Sequence, residues 1–158
     1  MVSNFESVSW FEVQGVEKGH PMSHGGSWSF DFGGVKYVHA VHSSVLPDGT
    51  YGGNPGRFII SADEGNVYYA GDTALTYDMK LIGDTANISH AILPIGDNFT
   101  MGVDDAVRAA EFVGCKEIIG MHYDTFGYIE IDKEEAKGKF STAGKTLTLL
   151  NIGETIDL

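Results

Sequence analysis

Three residues with metal-binding chemistry, His42, Asp72 and His122, stand at the ends of apolar runs. Val38-His39-Ala40-Val41 runs into His42-Ser43-Ser44, Val67-Tyr68-Tyr69-Ala70-Gly71 into Asp72-Thr73, and Ile118-Ile119-Gly120-Met121 into His122-Tyr123. Short apolar runs rich in β-branched and aromatic residues predict buried strands. Imidazole and carboxylate suit zinc, manganese or iron. A carboxylate at the end of a buried strand is costly unless a metal, a cation or hydrogen bonds receive it. Strand ends meet on one rim of a sheet, so groups far apart in the chain can converge there. Each residue alone also fits a plainer role. Gly71-Asp72-Thr73 makes a good turn with Asp72 capping the next helix, and a lone histidine at a strand end is an ordinary structural residue. His39 and His42, three apart on one strand, face opposite sides, which leaves His42 for the rim. His20 and His24 fall in a glycine-bearing loop. His90 precedes an apolar strand at its amino end, on the opposite rim.

The elements that must carry these residues follow from hydrophobic period. Ser7 to Val13 alternates and predicts a strand, Gln14 to Gly26 a loop, and Trp28 to Phe32 a second strand. Gly33-Gly34 predicts the turn into a returning strand, Val35 to Val41. Leu46 to Gly56 holds two prolines and four glycines and reads as a long loop over a site. Arg57 to Ala62 and Val67 to Ala70 predict a β-hairpin around Asp63-Glu64-Gly65-Asn66. Helices are expected over Thr76 to Ile82, Val103 to Val113 and Asp132 to Phe140, alternating with strands over Ala91 to Ile95, Glu117 to Met121 and Thr146 to Asn151. Val103 to Val113 is the clearest: Val103, Ala106, Val107, Ala110 and Val113 form one face, with Asp104 and Asp105 in the first turn. β-hairpins followed by β-α-β-α-β imply an α/β fold, a mixed sheet with covering helices, in one domain over 1–158.

Composition narrows the function. The net charge is −12, from 22 acidic and ten basic residues, so a basic nucleic-acid-binding face is not expected. The single cysteine, Cys115, cannot form an internal disulfide and follows Phe112-Val113-Gly114 at a helix end, where a buried thiol is expected. No apolar run is long enough to cross a membrane. Met1 to Glu12 does not read as a signal peptide, which makes the cytoplasm the expected compartment.

Gly71-Asp72-Thr73, the run Leu93-Pro94-Ile95-Gly96-Asp97-Asn98-Phe99-Thr100-Met101-Gly102, and His122-Tyr123 together resemble the metallo-β-lactamase superfamily. They resemble most its branch of poorly characterised bacterial and archaeal metal-dependent hydrolases. The likeness extends from about Phe5 to Leu158, with Gly19-His20-Pro21-Met22 and Ile152-Gly153-Glu154-Thr155 included. It implies a centre of two divalent metals, with zinc first and manganese or iron as alternatives. His42 would ligate one metal, His122 the other, and Asp72 would bridge them and be the catalytic carboxylate. A hydroxide held between two cations is a nucleophile at neutral pH. Asp97, Asn98, Thr100 and Tyr123 would line a pocket for a small-molecule substrate. Ser43, Thr73 and Thr125 would hydrogen-bond to the ligands. Asp97-Asn98 also fits a simple turn.

The sequence departs from that family in one respect. The superfamily's His-x-His-x-Asp-His motif, carried in the first half of its four-layered αβ/βα sandwich, does not occur here. The chain resembles the second half, and the N-terminal half is expected to be absent. A half-fold would expose the sheet face its partner covers, so a homo-oligomer or pairing with the missing half is expected. Alone, such a chain is expected to bind metal weakly and to show little activity. The competing reading is a non-catalytic half-domain that self-associates or binds a partner. A haloacid-dehalogenase-type phosphatase, suggested by Gly71-Asp72 and Asp78, lacks the Asp-x-Asp nucleophile that chemistry needs.

Overall fold

The computed structural model describes residues 1–158. β1 (Val2–Asn4) and β2 (His20–Met22) form a small parallel ribbon on either side of α1 (Phe5–Val13). A seven-stranded sheet follows: β3 (Ser27–Phe30), β4 (Gly33–His39), β5 (Gly56–Ala62), β6 (Gly65–Tyr69), β7 (Ile88–Pro94), β8 (Glu117–Met121) and β9 (Thr146–Thr148), in sequential order across the sheet. β3 to β6 pair antiparallel and β6 to β9 parallel. The parallel steps are bridged by α2 (Asp78–Thr85), α3 (Val103–Phe112) and α4 (Lys133–Thr142), as parallel pairing requires a crossover. The protein is thus an α/β fold with a mixed sheet, as the hydrophobic periods predict.

The three crossover helices cover one sheet face. Tyr68, Ala91, Leu93 and Ile118 from the strands meet Met79, Ile82, Ala106, Ala109, Ala110, Ala136 and Phe140 from the helices in one buried cluster. The three alanines of α3 let that helix approach the sheet closely. Asp132 caps α4, accepting from the N–H groups of Glu134 and Glu135 at 3.0 and 2.9 Å. Asp132→Ala should therefore lower stability by about 1 kcal/mol, read as a lower urea midpoint with an unchanged slope.

Two local expectations are corrected. Ser7 to Val13 lies within α1 and is not a strand. Asn4 starts that helix by accepting from Ser7 N–H at 2.8 Å, and the same side chain donates to Gly52 O at 2.7 Å. The cap and this long-range tie outweigh a short alternation of Val8 and Trp10. Gly33-Gly34 is not the turn but the start of β4, paired with Phe30 and Ser29. Gly33 has φ +136°, and a Cβ there would overlap Ser61 O on β5. The glycine serves close strand approach, and Asp31-Phe32 makes the turn. Within the expected loop Gln14 to Gly26, the structure also forms β2. Cys115 is buried, as expected, and burial pushes its thiol pKa up.

Candidate metal centre

β4, β6, β7 and β8 all run in the same direction, so their carboxyl ends share one rim. His42, Asp72, Asp97 and His122 all lie on the loops leaving that rim. Gly71, at φ +58°, turns the chain off β6 and delivers Asp72. His122 follows β8 directly and is itself left-handed, at φ +56°. Its Nε2 lies 3.6 Å from Asp72 Oδ2, the two side chains being 25% and 47% exposed. Its Nδ1 is buried and has no hydrogen-bond partner. Asp72 does not cap α2, whose N-cap is Tyr77 with no side-chain hydrogen bond.

Backbone strain gathers here. Of the five non-glycine residues at positive φ, Asp97, Asn98, His122 and Asp124 sit on the loops after β7 and β8. Asp, Asn and His enter this region more readily than other side chains, yet each still carries a strain that the surroundings must sustain. The surroundings are dense. Gly96 lies under His122, and a Cβ on it would overlap His122 O and stand 2.9 Å from Ile129 Cβ. Ile95 N–H donates to Met121 O at 3.1 Å, and Asp124 N–H to Ile129 O at 2.8 Å. Asp124 Oδ1 accepts from Ile131 N–H at 3.0 Å, and its Oδ2 pairs with Lys133 at 3.1 Å. The Ile131 N–H, aided by Lys133, holds the Asp124 carboxyl below its ordinary pKa range.

The other rim residues divide. Asp97 and Asn98 are exposed, with Asp97 Oδ1 accepting from Asn98 N–H at 2.7 Å. Thr100 has a buried, unpartnered hydroxyl. Met101 N–H donates to Thr73 O at 3.2 Å, joining this loop to the one that carries Asp72. Tyr123 is half-buried against the core, and its hydroxyl donates to Leu150 O at 3.4 Å. Ser43 and Thr125 are exposed. Thr73 is fully buried; its hydroxyl donates to Ala74 O at 2.8 Å and accepts from Val41 N–H at 3.1 Å. It also accepts from Arg57, a residue the sequence analysis passed over. A charge opening the apolar run Phe58-Ile59-Ile60 must find a buried partner, which was the available signal.

His42 stands apart. It is exposed, and its Nδ1 contacts the carbonyl of Ser43 at 2.9 Å. No three His, Cys, Asp or Glu side chains are grouped closely enough to hold a metal. The donor set therefore fits one side of a metal site: Asp72 and His122 converge, with an orphaned ring nitrogen beside them. A hollow of about 690 Å³ lies elsewhere, against β3, β4, β5 and the end of α2, with Lys36 its only charged residue. No helix is long and apolar enough to cross a membrane.

Known proteins resemble this chain in sequence and in fold. Residues 3–123 match the Beta-lactamase superfamily domain. The chain is 61% identical over 158 residues to a UPF0173 metal-dependent hydrolase of Christiangramia forsetii, and 53% identical to one of Methylacidiphilum infernorum. In both cases all of this chain is covered and it spans 70% of the relative's length. Among solved structures it is similar to Igni18, a metallo hydrolase of Ignicoccus hospitalis. The TM-score is 0.86 at 32% identity, over 98% of this chain and 66% of that one. An isothiocyanate hydrolase from Delia radicum gut bacteria, 15% identical with a TM-score of 0.75, shares the fold alone. The chain belongs to the metallo-β-lactamase superfamily.

Proposed function

We propose that this chain contributes to a metal-dependent hydrolase by supplying Asp72 and His122 as ligands of a divalent metal. The observation that carries the reading is the His122–Asp72 approach at 3.6 Å, made by a strained histidine with a buried, unpartnered Nδ1. Such a metal, zinc by donor type, supplies Lewis-acid polarisation and lowers the pKa of water. In this reading the complete site would take two divalent metals, and Asp72 and His122 would be among the residues that hold them. His42, exposed on the same rim, would be a further ligand, and the remaining ligands would come from a further polypeptide segment, in the same or a partner chain. The substrate is a small molecule with an ester, phosphodiester, lactam or related bond, and the compartment is the cytoplasm. Titrating zinc into the chain should shift the His122 imidazole NMR signals. Asp72→Ala and His122→Ala should each weaken that binding at least about tenfold, since losing even an outer partner of a ligand costs that much. Unchanged metal content and unchanged hydrolysis in both variants would sink the reading.

A second reading, a half-domain that pairs with a second copy, is favoured by the sheet face opposite the helices. Phe58, Val67, Ile92 and Ile119 are only half-buried there, and Ile60 and Tyr69 are 37% and 41% exposed. Sedimentation of the chain as a clean monomer at all concentrations contradicts it.

A further inference from the structure

Arg57 is the anomaly of this molecule. Its side chain is among the most buried, 1% exposed, and it has no carboxylate partner. Its guanidinium donates to the hydroxyls of Tyr68 and Thr73, the latter at 2.5 Å, and its Nε has no partner at all. Burying a cation among neutral groups is costly, and a neutral side chain of similar volume would serve packing as well. The fork geometry explains what a neutral residue could not do. A guanidinium has several donors at fixed angles, so one group reaches Tyr68 inside the core and Thr73 at the rim together.

Thr73 then joins two strand ends. Its hydroxyl accepts from Val41 N–H, and Ala74 N–H donates to Val41 O at 3.1 Å. Val41 precedes His42, and Thr73 follows Asp72. We infer that Arg57 is a positioning residue: by holding the Thr73 hydroxyl it fixes the strand end bearing His42 against the turn bearing Asp72. This rests on the reading of Asp72 as a metal ligand, yet its physical content can be measured without metal.

The test is amide hydrogen exchange of the full chain by NMR, with folding checked by circular dichroism. Thr73→Val keeps shape but loses the hydroxyl, and should speed exchange at Val41 about tenfold or more. Thr73→Ser should restore protection to within about twofold, which a role in packing alone would not produce. Arg57→Lys keeps the charge but loses the fork, and should speed exchange at Val41 although Arg57 does not hydrogen-bond to it. Val41 protection unchanged in either Thr73→Val or Arg57→Lys overturns the inference. So does a Thr73→Ser variant as exposed as Thr73→Val. Should Arg57→Lys fail to fold, Tyr68→Phe takes its place, since it removes the other hydroxyl that fixes the guanidinium: faster exchange at Val41 supports the inference and unchanged exchange overturns it. Zinc titration of the wild-type chain reports separately: an unmoved His122 signal counts against the hydrolase reading and leaves the Val41 result standing.

Discussion

Gly96→Ala should displace His122 and cost about 3 kcal/mol, the upper end of what overpacking does. The new methyl group would overlap His122 O and crowd Ile129 Cβ. Neither neighbour can give way cheaply. The His122 carbonyl lies between Met121, whose oxygen holds Ile95, and Asp124, whose N–H is held by Ile129. Relief therefore means unhooking the loop after β8 and releasing the strained backbone of His122. For a chain of this size the loss corresponds to about 10 °C in Tm. Urea unfolding and the His122 imidazole shifts read both effects. A wild-type midpoint with unmoved His122 signals would show that Gly96 is not the seat on which His122 rests.

Phe140→Ala should cost about 4 kcal/mol. Phe140 is fully buried and belongs to the same cluster as Ala136, Ile118 and Leu147, so it fastens α4 to the sheet. The cavity left behind has little means of collapse, because α4 is capped at Asp132 and its end is tied by Lys145 N–H to Phe140 O at 3.0 Å. The effect should reach the rim, since the loop holding His122 leads into α4. Thermal unfolding with a loss below about 1 kcal/mol would mean that the cavity does collapse and that α4 is more loosely held than its burial indicates.

The sheet and its rim were legible because they rest on period and polarity. Apolar runs ending in His42, Asp72 and His122 predicted parallel strand ends on one side, and the sheet places them so. What stayed hidden depends on contacts between distant segments. Asn4 reads as an ordinary polar residue until Gly52 comes within reach, and Gly33 reads as a turn until Ser61 lies against it. The rotation of the His42 ring is a local torsion that no spacing encodes. Arg57 was missed because its partners are hydroxyls, which carry no charge pattern.

The strand order also has a kinetic meaning. β3 to β6 form an antiparallel meander in which β3–β4 and β5–β6 close over tight turns and β4 joins β5 across a long loop, whereas β7 and β8 join only after helical crossovers. Asp72 leaves the last strand of the meander, and His122 leaves the second strand beyond it. A partly folded chain that keeps only the hairpins therefore presents Asp72 without its neighbour. Any ligand gripping both residues would recognise the finished sheet alone, and would raise the barrier to unfolding more than it speeds folding.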